Sequence, residues 1–251
     1  MIDLKGKVAI VTGGGGDIGQ AAILTLVRRG AKVLVVDVDG EAVERVVAEA
    51  RAAGGSAEGA VADARHSDQV AAYARKAVDL WGGIDLFFNN AGIEGPGGNI
   101  PDYPEEAFDQ VLAVNVKGVF LGMKHVLPHM RDGGAIVNMS SVAGLRGSPG
   151  LVGYVASKHA VIGMTKTAAL ENAARNVRVN VICPAPIKGR MMTSIEGNVG
   201  ATDEDAFKGI IPMGRYGTPQ EVANLAVMLL SDEASYLTGG AYMVDGGTTA
   251  S

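Results

Sequence analysis

Short apolar runs rich in valine and isoleucine alternate with longer amphipathic runs along most of the chain. Residues 7–12 predict a buried strand, and a glycine-rich turn leads from it into a helical pattern over 18–29 that Gly30 stops. Residues 32–36 predict a second strand ending at Asp37. Over 41–53, Val43, Val46 and Val47 share one helical face while Glu44, Arg45 and Glu49 lie outward. A strand over 56–61 before Asp63, a helix over 67–81 and a strand over 84–88 follow, the last breaking at Asn89-Asn90-Ala91-Gly92. The alternation continues with a helix over 105–130, strand 135–139, helix 152–174, strand 178–182, helix 219–230 and strand 242–244. Thr218 and Glu221 have the spacing of a capping box at the start of that last helix.

This order predicts an α/β fold: a doubly wound, mostly parallel, Rossmann-like sheet of about seven strands with right-handed crossovers and both faces covered. No repeat, linker or composition shift divides the chain, so residues 1–251 read as one domain. Between 184 and 214 the pattern loosens into Gly, Pro and Met with no clear strand, which predicts a substrate lid around 185–214.

Composition narrows the function classes. With 22 Lys and Arg against 27 Asp and Glu the formal charge is −5, and no basic tract exists, so nucleic acid and anionic membrane are poor partners. No charged start precedes an apolar h-region and no apolar run approaches about 18 residues, so no membrane segment is expected. The single Cys183 forms no intrachain disulfide and suits a reducing cytoplasm, the expected location. His125 and His129 have the spacing of a metal pair, but Pro128 lies between them and no third ligand is evident, so no metal is expected.

Two stretches carry candidate chemistry. Tyr154 and Lys158 are four residues apart, which on a helix puts both side chains on one face. A free phenol titrates near about 10, and a neighbouring ammonium lowers that value toward neutrality, where the phenol becomes a usable acid or base. Ser141 follows the apolar run Ala135-Ile136-Val137, where its hydroxyl can bond the oxygen that Tyr154 protonates. The second stretch is the turn Gly13 to Gly19, set between a strand and a helix, with G-x-G-x-x-G spacing at Gly14, Gly16 and Gly19. Such a turn brings backbone N–H groups and the positive helix end to a pyrophosphate. Asp37, at the end of the second strand, can accept both adenosine ribose hydroxyls and would repel a 2′-phosphate. No Arg or Lys lies in the turn or at 38–40 to offset that repulsion, so NAD is expected over NADP.

Taken together, the chain resembles the short-chain dehydrogenase/reductase family over nearly its whole length. Thr12-Gly13 through Ile18-Gly19 is similar to the family's T-G-x-x-x-G-x-G turn, and Asn89-Asn90-Ala91-Gly92 to its N-N-A-G motif. Asn115 sits in a V-N-V context like the family's catalytic asparagine, and Ser141, Tyr154 and Lys158 fall at the family's spacing. The resemblance implies hydride exchange between NAD and an alcohol or ketone. Tyr154 would be the acid/base, Lys158 would bond the nicotinamide ribose, Ser141 would orient the substrate oxygen, and Asn115 would hold a water relaying protons from Lys158. Gly13, Gly16, Asp17, Ile18 and Gly19 would form the cofactor turn, and Asp63 with Ala64 would contact adenine. Asn90, Ala91 and Gly92 would line the adenosine ribose side, and Pro184 with Ile187 the carboxamide side. A homotetramer is the family expectation. Met191, Met192, Ile195 and Met213 suggest a lid closing on an apolar substrate.

Two residues depart from the family pattern. Asp17 stands where the turn's middle glycine is usual, and the expectation is that its carboxylate points outward and caps the helix it begins. Gly189 stands where a threonine usually bonds the carboxamide, so a backbone or neighbouring group must substitute. The expected activity is an NAD-dependent interconversion of a secondary alcohol and a ketone. The alternatives are a ketoacyl-thioester reductase, which usually takes NADP, and a catalytically silent NAD-binding sensor, which would need no proton relay.

Overall fold

The computed structural model describes residues 2–198 and 207–250. Among these residues, seven strands make one sheet: β1 (Val8–Thr12), β2 (Lys32–Asp37), β3 (Ser56–Val61), β4 (Ile84–Asn89), β5 (Met130–Met139), β6 (Arg178–Pro184) and β7 (Ala241–Val244). Their order is β3-β2-β1-β4-β5-β6-β7, and every neighbouring pair is parallel.

Successive strand residues point to opposite faces, so a strand covered on both sides must be apolar throughout. Ala9, Val11, Val33 and Val35 pack on one face with α1 (Asp17–Arg28), α2 (Gly40–Ala52) and α8 (Pro219–Leu230). Ile10, Leu34 and Val36 pack on the other with α3 (Ser67–Trp81), α5 (Val119–Val126) and α6 (Val152–Asn172). Each fully buried large apolar side chain contributes about 1.5–3 kcal/mol, which makes this double cover the main source of stability.

β1 touches both β2 and β4, so the strand order reverses beside it. In open parallel sheets the crevice beyond the carboxyl ends of the strands at such a reversal is where ligands bind. A buried polar network braces the neighbouring strand ends. Asn89 donates to the Val119 carbonyl (3.0 Å) and to Asn138 Oδ1 (3.2 Å), and Asn138 donates to Thr165 Oγ1 (3.0 Å).

Three elements differ from the sequence expectation. The single helix over 105–130 is instead α4 (Glu105–Leu112), a π-helical turn (Ala113–Gly118) and α5, closing in a short 3₁₀ turn (Leu127–His129). The path Glu105–His129 is long and apolar enough by length and composition to cross a bilayer, against the expectation of no such run. Here Val111, Val119, Leu121, Met123 and Val126 bury its inner face inside the fold. β5 starts at Met130 rather than 135, with a register shift against β4 between Ile84 and Leu86. The loosened segment contains a helix, α7 (Arg190–Asn198), and a 3₁₀ turn at Lys208–Ile210; the part of that expectation on 199–206 lies outside the described residues.

Candidate active site

The turn after β1 folds as it does because two glycines meet. Gly13 has φ 62, a left-handed conformation open to glycine, and a Cβ on Gly19 would run into the Gly13 carbonyl. That contact lets α1 start directly beneath the turn, with Gly16 as N-cap and no side chain bonded to its first N–H groups. On the far side, Thr12 Oγ1 accepts from the N–H groups of Asn90 (3.0 Å) and Ala91 (3.2 Å). The Asn90 amide donates to the carbonyls of Thr12 and Gly13 (3.0 and 3.2 Å), so its side chain braces the turn.

A cleft of about 780 Å³ opens above these strand ends. Gly13, Gly16, Asp17, Ile18 and Gly19 form one wall of it, and Asp37, Asp63 and Ala64 one end. Asn90 to Gly92, Pro184 and Ile187 line its middle, and Ser141, Tyr154 and Lys158 also reach it. The residues singled out from the sequence thus share one cavity, except Asn115, which is fully buried behind it.

At the acidic end, Asp37 Oδ2 accepts from the Gly15 N–H (2.9 Å) and Oδ1 from the Asp39 N–H (3.2 Å), which fixes the carboxylate at the end of β2. Arg65 grips Asp63 with Nε and Nη2 at 2.9 and 2.6 Å and holds its carboxyl below the usual carboxylate range. Arg65 lines the cleft, and sequence reading passed over it, although its position two residues after Asp63 was the available signal. Arg45 on α2 also reaches the turn, donating to the Gly15 carbonyl at 3.4 Å, a contact that only the packing of α2 on α1 creates.

Asn115 sits in the π-helical turn. Its Oδ1 accepts from the Ile93 N–H (2.8 Å), and its Nδ2 donates to the Ile93 carbonyl (2.7 Å) and to Ser157 Oγ (3.0 Å). Ser157 in turn donates to the Tyr154 carbonyl (2.7 Å). The asparagine therefore ties the loop after β4 to the helix that carries Tyr154.

Tyr154 and Lys158 lie on α6 as the four-residue spacing requires, and both are buried. Lys158 Nζ donates to the Met139 carbonyl at the end of β5 (3.1 Å) and lies 5.3 Å from the centre of the Tyr154 ring. Ser141, two residues past β5, accepts from the Ala143 N–H (3.1 Å), which orients its hydroxyl. Burial pushes the Tyr154 phenol up to about 12; the Ser141 hydroxyl pulls the other way and the Glu94 carboxylate adds to the rise. Burial pushes Lys158 down to about 8. This corrects the expectation of a phenol made acidic by its neighbour. Lys158 lies against the ring, and removal from water is the largest influence on the phenol.

Asp17 is a second correction. It does not cap the helix it begins: its Oδ2 accepts from the Arg190 N–H (2.9 Å) at the start of α7. That carboxylate fills the space beside Gly189. Among the apolar residues expected to close the cleft, Met191, Met192 and Ile195 line it, whereas Met213 is 65% exposed and lines a separate hollow near the last strand. Among the described residues, no three His, Cys, Asp or Glu side chains come together as a metal site would require. His125 instead shares a 2.8 Å hydrogen bond with Ser67.

Comparison with known proteins places this geometry. Residues 15–249 match the family model described as enoyl-(acyl carrier protein) reductase. The chain is 40% identical over 246 residues to cyclohexanol dehydrogenase of Acinetobacter sp. (strain SE19), covering 97% of this chain and 95% of that one. The crystal structure of levodione reductase superposes with a TM-score of 0.95 at 36% identity, covering 98% of this chain and 99% of the other. That of NAD⁺-bound xylitol dehydrogenase gives 0.92 at 36% identity, covering 97% and 99%. With its seven parallel strands, its glycine turn and a tyrosine and lysine one helical turn apart, the chain belongs to the short-chain dehydrogenase/reductase family.

Proposed function

We propose that this protein is an NAD-dependent oxidoreductase that interconverts a secondary alcohol and a ketone. One observation carries the reading: Tyr154, Ser141 and Lys158 lie in the same cleft as the glycine turn and Asp37. The residues present fit the dinucleotide. The glycine turn leaves the first N–H groups of α1 without a capping side chain, as a pyrophosphate site requires, and Asp37 stands at the end of β2 for the ribose hydroxyls. When bound, NAD supplies the hydride chemistry.

The chain's own residues manage the proton. At neutral pH the Tyr154 phenol, held up near about 12, carries its proton and is the acid for a ketone oxygen. Ser141 Oγ, fixed by the Ala143 N–H, orients that oxygen. Lys158 anchors the ribose side, and Asn115 holds α6 and the loop after β4 in register. Leu151 and Ile195 pack with Tyr154, and Met191 and Met192 line the same cleft, which favours a substrate with an apolar body. Relatives named for cyclohexanol, levodione and xylitol support a carbinol or ketone substrate. The roof of the cleft is the lid of this reading.

A relative named 3-oxoacyl-[acyl-carrier-protein] reductase keeps reduction of a ketoacyl thioester as a second reading, and Asp37 weighs against its usual NADP. Incubation with NAD and a panel of secondary alcohols, following the absorbance of reduced cofactor, tests the proposal. Turnover only of a ketoacyl thioester with NADPH would favour the second reading, and tight NAD binding with no turnover a sensor.

A cytoplasmic homotetramer completes the reading. Phe120 on α5, 50% exposed, and Leu170 on α6, 82% exposed, are apolar surface that pairing of these helices would cover. Light scattering on the purified chain checks the assembly.

A further inference from the structure

We propose that Asp17 and Gly189 form a clasp that ties the glycine turn to the roof of the cleft. Asp17 is the first residue of α1 and Gly189 precedes the first residue of α7, and the starts of the two helices meet there. Gly189 acts as the N-cap of α7, since its carbonyl accepts from the N–H groups of Met192 (3.1 Å) and Thr193 (3.2 Å). An N-cap residue ordinarily uses its own side-chain oxygen to satisfy an early helical N–H, and glycine has none. Asp17 supplies that oxygen from 173 residues away, accepting from Arg190 N at 2.9 Å.

The clasp needs both partners. A Cβ at position 189 would collide with the Asp17 carboxylate, and the backbone there has φ 151, where a side chain is strained as well. The two positions where the chain departs from the family pattern are therefore one place in space. Asp17 also lies at the mouth of α1, where a free carboxylate would oppose a pyrophosphate; held on the Arg190 N–H, it is directed toward α7.

Asp17 is thus a positioning residue. It orders the first turn of α7, which presents Met191, Met192 and Ile195 to the cleft. The consequence for turnover rests on the proposed function, whereas the clasp itself does not.

Hydrogen exchange on the full chain without added cofactor, followed by mass spectrometry over residues 186–194, tests the contact directly. Loss of a helix cap shifts an opening equilibrium by about 2- to 30-fold, so Asp17→Gly speeds exchange there by that factor while β1 and β4 stay unchanged. Asp17→Asn keeps an accepting oxygen and retains most of the protection. Gly189→Ala raises exchange more in the wild-type background than in Asp17→Gly, because backbone strain is common to both and the collision occurs only in the first. In turnover assays at saturating NAD, Asp17→Gly raises the KM for the alcohol by a larger factor than it lowers kcat. Equal exchange in wild type and Asp17→Gly, or an equal effect of Gly189→Ala in both backgrounds, would overturn the clasp. Absence of turnover in wild type would overturn the oxidoreductase reading and leave the exchange result standing.

Discussion

The Lys158 ammonium lies 5.3 Å from the centre of the Tyr154 ring and donates to the Met139 carbonyl, so the end of β5 sets where both side chains sit. The helical spacing of the pair brings them to one face, but the strand end decides which atoms they meet. Met139 receives the amine, and Ser141, two residues later, faces the phenol. A change at either residue of the pair therefore has a separable outcome.

Tyr154→Phe keeps the ring beneath Lys158 and removes only the O–H. Turnover should fall by at least about 10²–10⁴-fold, the range of a lost general acid or base. NAD affinity by calorimetry should stay within about threefold, because the phenol oxygen contributes little to ground-state binding. Retained activity would mean that another group moves the proton.

The pH dependence follows from the direction of the phenol shift. A phenol pushed up to about 12 by burial holds its proton through the neutral and mildly alkaline range. Ketone reduction, which needs the acid, should lose nothing to phenol ionisation there, so any decline near pH 8 would report Lys158. Alcohol oxidation needs the deprotonated form and should rise with pH across the same range. Initial rates in both directions from pH 6 to 10 check this; oxidation falling as pH rises would contradict it.

Much of the fold was legible because each strand is a short apolar run and each helix an amphipathic one, and the order of the two sets the topology. Asp37 and the Tyr154–Lys158 pair were legible because strand ends and helical spacing are local. What escaped depends on distant partners. The π-helical turn at Ala113–Gly118 holds Asn115, whose amide bonds Ile93 and Ser157, 22 and 42 residues away. The Asp17 carboxylate meets an N–H 173 residues on. The sign of the Tyr154 shift turned on burial, which spacing does not encode.

Lys158→Met should stabilise the protein while abolishing turnover. Burial depresses the lysine from 10.5 to about 8 in the folded chain, so between those values the unfolded chain binds more protons. Stability therefore rises with pH across that window, and below about 8 the full cost of the buried ammonium is present, up to about 3 kcal/mol. Methionine removes that cost and leaves the Met139 carbonyl unpaired, a loss of about 1 kcal/mol. Urea midpoints at pH 7 should rise by an amount equivalent to about 1–2 kcal/mol, and the rise in stability between pH 8 and 10 should flatten. A destabilised variant at pH 7 would mean that the lysine anchors the fold as well as the site.

Asp37→Ser should weaken the preference for NAD. The carboxylate is held by the Gly15 and Asp39 N–H groups at the end of β2, where on the proposed function it would accept ribose hydroxyls and repel a 2′-phosphate. Serine keeps one acceptor for the Gly15 N–H and removes the charge. Loss of a charge-assisted hydrogen bond worth about 1.5–3 kcal/mol should lower kcat/KM for NAD by about 10- to 100-fold. The value for NADP should rise, because the charge that would repel its 2′-phosphate is gone. Steady-state rates with each cofactor at a fixed alcohol concentration read the ratio. A wild-type protein that already prefers NADP would remove the role assigned to Asp37.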